Sequence, residues 1–94
     1  MESVKKFAQR VIDTTEEVHV LINNAETMMI DETITEDGNE KQMQSNYIGH
    51  FLLTKLLIPN LTKTNSSRII NITNIAHAWG KLLSCQCCQL YYLI

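Results

Sequence analysis

The chain has 94 residues, 45% of them hydrophobic, which suits one small globular domain rather than a disordered segment. Eight basic and ten acidic residues are well mixed and leave a net charge of -2, so no field is built to hold phosphates and nucleic acid is excluded as an expected partner. The opening Met1-Glu2-Ser3-Val4-Lys5-Lys6 lacks the apolar core of a signal peptide, and no stretch approaches the roughly eighteen apolar residues of a membrane span. The expectation is therefore a cytoplasmic chain with no membrane segment.

Ser3 is a candidate N-cap, and Val4, Phe7, Ala8, Val11 and Ile12 recur at helical spacing while Lys5, Lys6, Gln9 and Arg10 fall on the other side. This predicts an amphipathic helix over 4–13. Thr14 to Glu17 form a polar connection into a strand at 18–22, where Val18, Val20, Leu21 and Ile22 make a near-continuous apolar run. Such runs are typical of parallel strands covered on both faces. Asn23 and Asn24 then stand at the carboxyl end of that strand, where open α/β sheets bind their ligands.

Residues 26–35 have no clear period and are predicted to be a loop. Thr35 followed by Glu36 and Asp37 resembles a helix start, with acids where the dipole favours them. Met43, Tyr47, Phe51, Leu52, Leu56 and Leu57 continue a helical stripe, giving a predicted helix over 36–58 that Pro59 should end or kink. Lys63 to Ser67 read as a polar loop, and Arg68 to Thr73 as a second buried strand. The order helix, strand, helix, strand implies a parallel pair joined by a right-handed crossover. The segment from Leu82 to Ile94 has neither strand alternation nor a helical stripe and is left unplaced.

Cys85, Cys87 and Cys88 are too close for a disulfide framework and too few for a closed zinc site, so they read as free thiols and no metal is assigned. His19, His50 and His77 are dispersed and read as structural or surface residues. Three glycosylation sequons, at Asn60, Asn65 and Asn71, are discounted because nothing in the sequence directs the chain to a glycosylating compartment.

Asn23-Asn24-Ala25-Glu26 resembles the Asn-Asn-Ala-Gly motif of the short-chain dehydrogenase/reductase family. The resemblance extends over about residues 2–81 through further blocks: Glu2 to Phe7, Leu21 to Ala25, Glu36 to Gly38, Asn46 to Thr54, and Ser67 to Lys81. It is closest to the branch containing the retinol dehydrogenases. It implies an α/β fold, a partial and incomplete doubly wound (Rossmann-like) parallel sheet over 1–81, with 82–94 as an unmatched tail. It also implies hydride transfer between NAD or NADP and a small alcohol or carbonyl substrate. Asn23 and Ala25 match the motif that supports the sheet and lines the adenosine side of the cofactor. Asn46 matches the Asn on the long helix whose backbone carbonyl holds a water of the proton relay. Asn74, the second residue of Thr73-Asn74, stands where the family has its catalytic Ser.

The chain also departs from the family pattern. Asn74 lacks a hydroxyl that can both donate and accept. Gly38, Gly49 and Gly80 are all isolated, so no Gly-rich phosphate-binding turn is present. The family's acid is a Tyr with a Lys four residues later, but Tyr47 has Phe51 at that spacing, and no Lys follows Tyr91 or Tyr92. Glu26 replaces the Gly that lets backbone approach ligand. The expectation is an internal piece of a family enzyme, of the sort a truncated transcript or gene model yields, that neither binds cofactor alone nor transfers hydride. The alternative is a noncatalytic module whose helix at 36–58 pairs with a full-length homologous subunit.

Overall fold

The computed structural model describes residues 1–78, 81–84 and 90–93, with side chains described through Ile75 and at Ala78. The first helix, α1, spans Glu2–Thr14 with Met1 as its N-cap. Ser3 therefore lies inside the first turn and caps nothing, because the earlier start brings Glu2 into the turn where a carboxylate offsets the dipole. At its other end the Thr15 N–H donates to Val11 O at 2.8 Å. Ala8 is the one residue of α1 that is fully buried, while Phe7 and Ile12 stay exposed.

Strand β1, Val20–Asn23, pairs in parallel with β2, Arg68–Asn71, with Val20 opposite Arg68 and Asn23 opposite Asn71. Both are shifted from the expected ranges. β1 starts two residues later and includes Asn23, while β2 stops before Ile72 and Thr73. Backbone bonds from Arg68 N–H to His19 O (2.8 Å) and from Ile72 N–H to Asn23 O (3.0 Å) extend the ladder by one step at each end.

The expected burial on both sheet faces is corrected. Leu21 and Asn23 are buried against the helices at 8% and 3% exposure, whereas Val20 and Ile22 on the opposite face remain 49% and 57% exposed. β2 is exposed along its whole length. Side chains alternate across a strand, and among the described residues the helices cover only one side. The apolar runs thus report a face that the described elements leave open.

The predicted helix at 36–58 is displaced to Lys41–Leu61. Gly38 adopts φ +79°, a left-handed conformation that no helix interior accepts, and it closes a turn in which the Gly38 N–H donates to Thr35 O at 2.9 Å. An isolated bridge between Ile34 and Glu40 brackets this turn. Glu40, not Thr35, is the N-cap. Its carboxylate accepts from the Gln42 and Met43 N–H groups at 2.7 and 2.6 Å. Asp37 instead meets the Met1 terminal ammonium, which holds its carboxyl below the usual carboxylate range.

The long helix has three parts: α2 (Lys41–Met43), a π-helical segment (Gln44–Ile48) and α3 (Gly49–Leu61). The π segment was not foreseen. Helix also continues through Pro59 rather than ending there, to the Thr62 N–H that donates to Ile58 O at 2.9 Å. The buried residues Asn60 and Leu61 anchor that last turn. A small core of Ala8, Leu21, Leu57 and Leu61 joins α1, α3 and β1, with Val11, Val18, Leu53 and Leu56 packed around it.

After β2 a short 3-10 turn spans Ile75–Ala78. The backbone of β3 (Lys81–Ser84) then pairs antiparallel with β4 (Leu90–Leu93), giving two stretches of the unplaced tail a strand assignment. The three cysteines and the His77 side chain lie outside the described residues. Among the described residues no helix is long and apolar enough to cross a membrane.

Candidate functional site

The carboxyl ends of β1 and β2 lie side by side, because parallel strands in register finish together. Asn23 turns inward there, and its Nδ2 donates both to Asn71 Oδ1 across the strands (2.8 Å) and to Thr54 Oγ1 on α3 (3.0 Å). One amide therefore ties strand to strand and sheet to helix. Its Oδ1 is buried and has no partner among the described residues. Thr54 and Asn71 fall within the blocks of sequence similarity, yet their pairing with Asn23 was not foreseen, because it needs the strand register and the helix position together.

Beyond the strand, Asn24, Ala25 and Glu26 are exposed. The backbone then turns back to the long helix at Thr27, where Asn46 grips it. Asn46 Oδ1 accepts from the Thr27 N–H at 2.9 Å and from the Thr27 hydroxyl at 3.3 Å, and Asn46 Nδ2 donates to Thr27 O at 2.8 Å. An amide side chain matches a backbone amide in this way because both offer one donor and one acceptor at similar separation. The clamp falls in the π segment, whose extra residue per turn re-aims the side chains it carries. Gly49 ends that segment, with its N–H on Gln44 O, and a Cβ there would stand 3.1 Å from that same oxygen.

Thus the structure brings Asn46 to the loop leaving the Asn23 motif, and both asparagines use their side chains to hold scaffold. Asn74 is half-buried between β2 and the 3-10 turn, three residues beyond Asn71. His50, one turn before Thr54 on α3, is half-buried with its Nε2 lacking a partner among the described residues. The exposed carboxylate of Glu26 beside Ala25 is a poor neighbour for an anionic dinucleotide. The donor-rich turn that would cradle a pyrophosphate is not supplied by these residues.

Asn60 is a further polar anchor, read in the sequence only as part of a sequon. It is 3% exposed, and its Nδ2 donates to Thr15 O (3.0 Å) and Glu16 O (3.3 Å), while its own carbonyl accepts from the Val18 N–H at 3.1 Å. It fixes the α1–β1 connection to the end of α3.

The sequence matches the family model described as short chain dehydrogenase over residues 1–82. Retinol dehydrogenase 13 of Mus musculus is 45% identical over 82 residues, covering 87% of this chain and 25% of that protein. The oxidoreductase fscI of Fusarium equiseti is 47% identical over 81 residues, 81% of this chain and 31% of that protein. A crystal structure of an uncharacterised protein from Mycobacterium paratuberculosis aligns with TM-score 0.67 and 39% identity, covering 81% of this chain and 25% of that one. The chain spans about a quarter of the length of the retinol dehydrogenases it matches. With this agreement of sequence and fold, the chain belongs to the short-chain dehydrogenase/reductase family, in its retinol dehydrogenase-like branch.

Proposed function

We propose that this chain is the central scaffold segment of an NAD(P)-dependent oxidoreductase acting on small alcohols or carbonyls, with retinoids as the first class to try. On its own it transfers no hydride and holds no dinucleotide. The observation that carries this reading is the use of the motif side chains. Asn23 gives both its N–H groups to Asn71 and Thr54, and Asn46 gives its amide to Thr27, so each matched residue supports the sheet end. In this reading Asn23 and Ala25 line the adenosine side of a cofactor only in a complete domain, and Asn46 offers its backbone carbonyl there. Asn74 at the family's Ser position can donate through its amide but lacks a hydroxyl that both donates and accepts, so it is not a full replacement for that Ser. The division into 1–81 and 82–94 belongs to the same proposal. The test is direct: purified chain is incubated with NADP(H) and either all-trans-retinol or an aliphatic aldehyde, against a mock preparation. No turnover above the mock is expected, and turnover that scales with chain concentration overturns the proposal.

A second reading follows from the outer side of the long helix, where Tyr47, Phe51 and Ile58 are exposed and the Tyr47 and Phe51 rings stack with centroids 6.5 Å apart. That stripe suits pairing with a homologous full-length subunit. Loss of co-purification on Phe51→Glu supports it, and unchanged co-purification refutes it.

A further inference from the structure

Eight asparagines are spread along the chain, and six of them are engaged. Asn23 bonds to Asn71 and Thr54, Asn39 donates to Gln44 Oε1 at 3.0 Å, Asn46 clamps Thr27, and Asn60 donates to Thr15 and Glu16. Asn74 has a partner as well. Asn24 and Asn65 remain. Both are exposed, and neither side chain has a hydrogen bond among the described residues.

These two differ in backbone setting and in the residue that follows. Asn24 comes directly after Asn23, whose carbonyl accepts from the Ile72 N–H at 3.0 Å, and it precedes Ala25. Asn65 lies in the turn at 62–66 that links α3 to β2, the kind of surface connection with the most backbone freedom. It precedes Ser66, whose backbone N–H makes no hydrogen bond among the described residues. Ser66 has a small side chain, and its electron-withdrawing hydroxyl makes that N–H easier to deprotonate than the one of Ala25. Asp37-Gly38, where an acid could close on the following nitrogen in the same way, shows the opposite arrangement. The Gly38 N–H donates to Thr35 O at 2.9 Å, and Gln44 Nε2 holds the Asp37 carboxylate at 3.1 Å.

We propose that Asn65-Ser66 is a site of spontaneous modification, where the turn closes to a succinimide and reopens as aspartate or isoaspartate. The Ser66 backbone nitrogen, giving its proton to solvent, attacks Asn65 Cγ. A C–N bond forms, the Cγ–Nδ2 bond breaks, and Nδ2 leaves as ammonia with a proton taken from water. A water molecule then opens the five-membered imide. Cleavage of the bond from the Ser66 nitrogen to Cγ gives aspartate, and cleavage of its bond to the Asn65 main-chain carbonyl carbon gives isoaspartate. Water is the one co-reactant, and nothing is oxidised or reduced. Either product adds a negative charge to a chain whose net charge is already -2. Isoaspartate also lengthens by one carbon the connection from Leu61, in the core, to Arg68, the first residue of β2. The inference depends neither on the family assignment nor on whether the chain transfers hydride.

The experiment holds the purified 94-residue chain at mildly alkaline pH and body temperature beside a free peptide spanning 62–68. Samples taken over time are mapped by mass spectrometry for the amide-to-acid mass gain, and isoaspartate is counted by enzymatic methyl transfer. Asn65 is expected to convert first, ahead of Asn24. It should outpace the six engaged asparagines by about tenfold or more, since each of those must first open a local contact. In urea that preference over the six should shrink. Ser66→Val should slow conversion at Asn65 by about tenfold or more, because a branched side chain crowds the attacking nitrogen. Three results would each overturn the proposal: faster conversion at Asn24 or at an engaged asparagine in the native chain, an unchanged rate in Ser66→Val, or an intact Asn65 after the free peptide has fully converted.

Discussion

Asn23, Asn46 and Asn60 are the polar residues on which the described structure turns, and each acts by satisfying backbone or side-chain groups that would otherwise be stranded. Asn60→Ala should lower stability by about 1 kcal/mol, because two part-buried carbonyls lose a donor. Asn60→Asp should be worse, since it faces a carboxylate toward those carbonyl oxygens; urea denaturation followed by circular dichroism measures both. Asn46→Ala should release Thr27, read as faster exchange of the Thr27 amide with little change in helix content. The sequence made Asn23 and Asn46 legible because they sit in recognisable blocks. Asn60 was hidden because its partners, Thr15 and Glu16, are more than forty positions away and meet it only when α1 packs on α3.

At the scale of elements, the order helix, strand, helix, strand and the parallel pairing were readable from periodicity alone. The boundaries that moved did so for local reasons. Thr35-Glu36-Asp37 has the composition of a helix start, but Gly38 in a left-handed conformation turns the chain and leaves Glu40 to cap the helix. Gly38→Ala should therefore destabilise by about 1–2 kcal/mol through backbone strain, since a Cβ there meets nothing within 4 Å. Glu40→Ala should fray the start of α2 at about 1 kcal/mol, visible as faster exchange at Gln42 and Met43. The π segment was not legible because the apolar residues around it, Met43, Tyr47 and Phe51, step by four and so fit an α-helical stripe as well.

At the scale of the whole molecule, the core of four buried apolar side chains among the described residues is small against the sheet face left open beside it. The chain alone should unfold over a broad, weakly cooperative transition and self-associate, and joint Ile22→Lys and Ile70→Lys substitution should raise its solubility without altering its helical signal. Buried-strand composition was legible in the sequence as a demand for cover on both faces. What could not be read was that, among the described residues, helices would meet only one of those faces.

The central proposal is that the motif asparagines serve as scaffold here and that the chain alone offers no dinucleotide site. Titrating the purified chain into NADPH and following the cofactor's fluorescence tests it most directly. The account predicts no saturable change in intensity or anisotropy at chain concentrations up to its solubility limit. A saturable rise at one-to-one stoichiometry, abolished by Asn23→Ala, would contradict it.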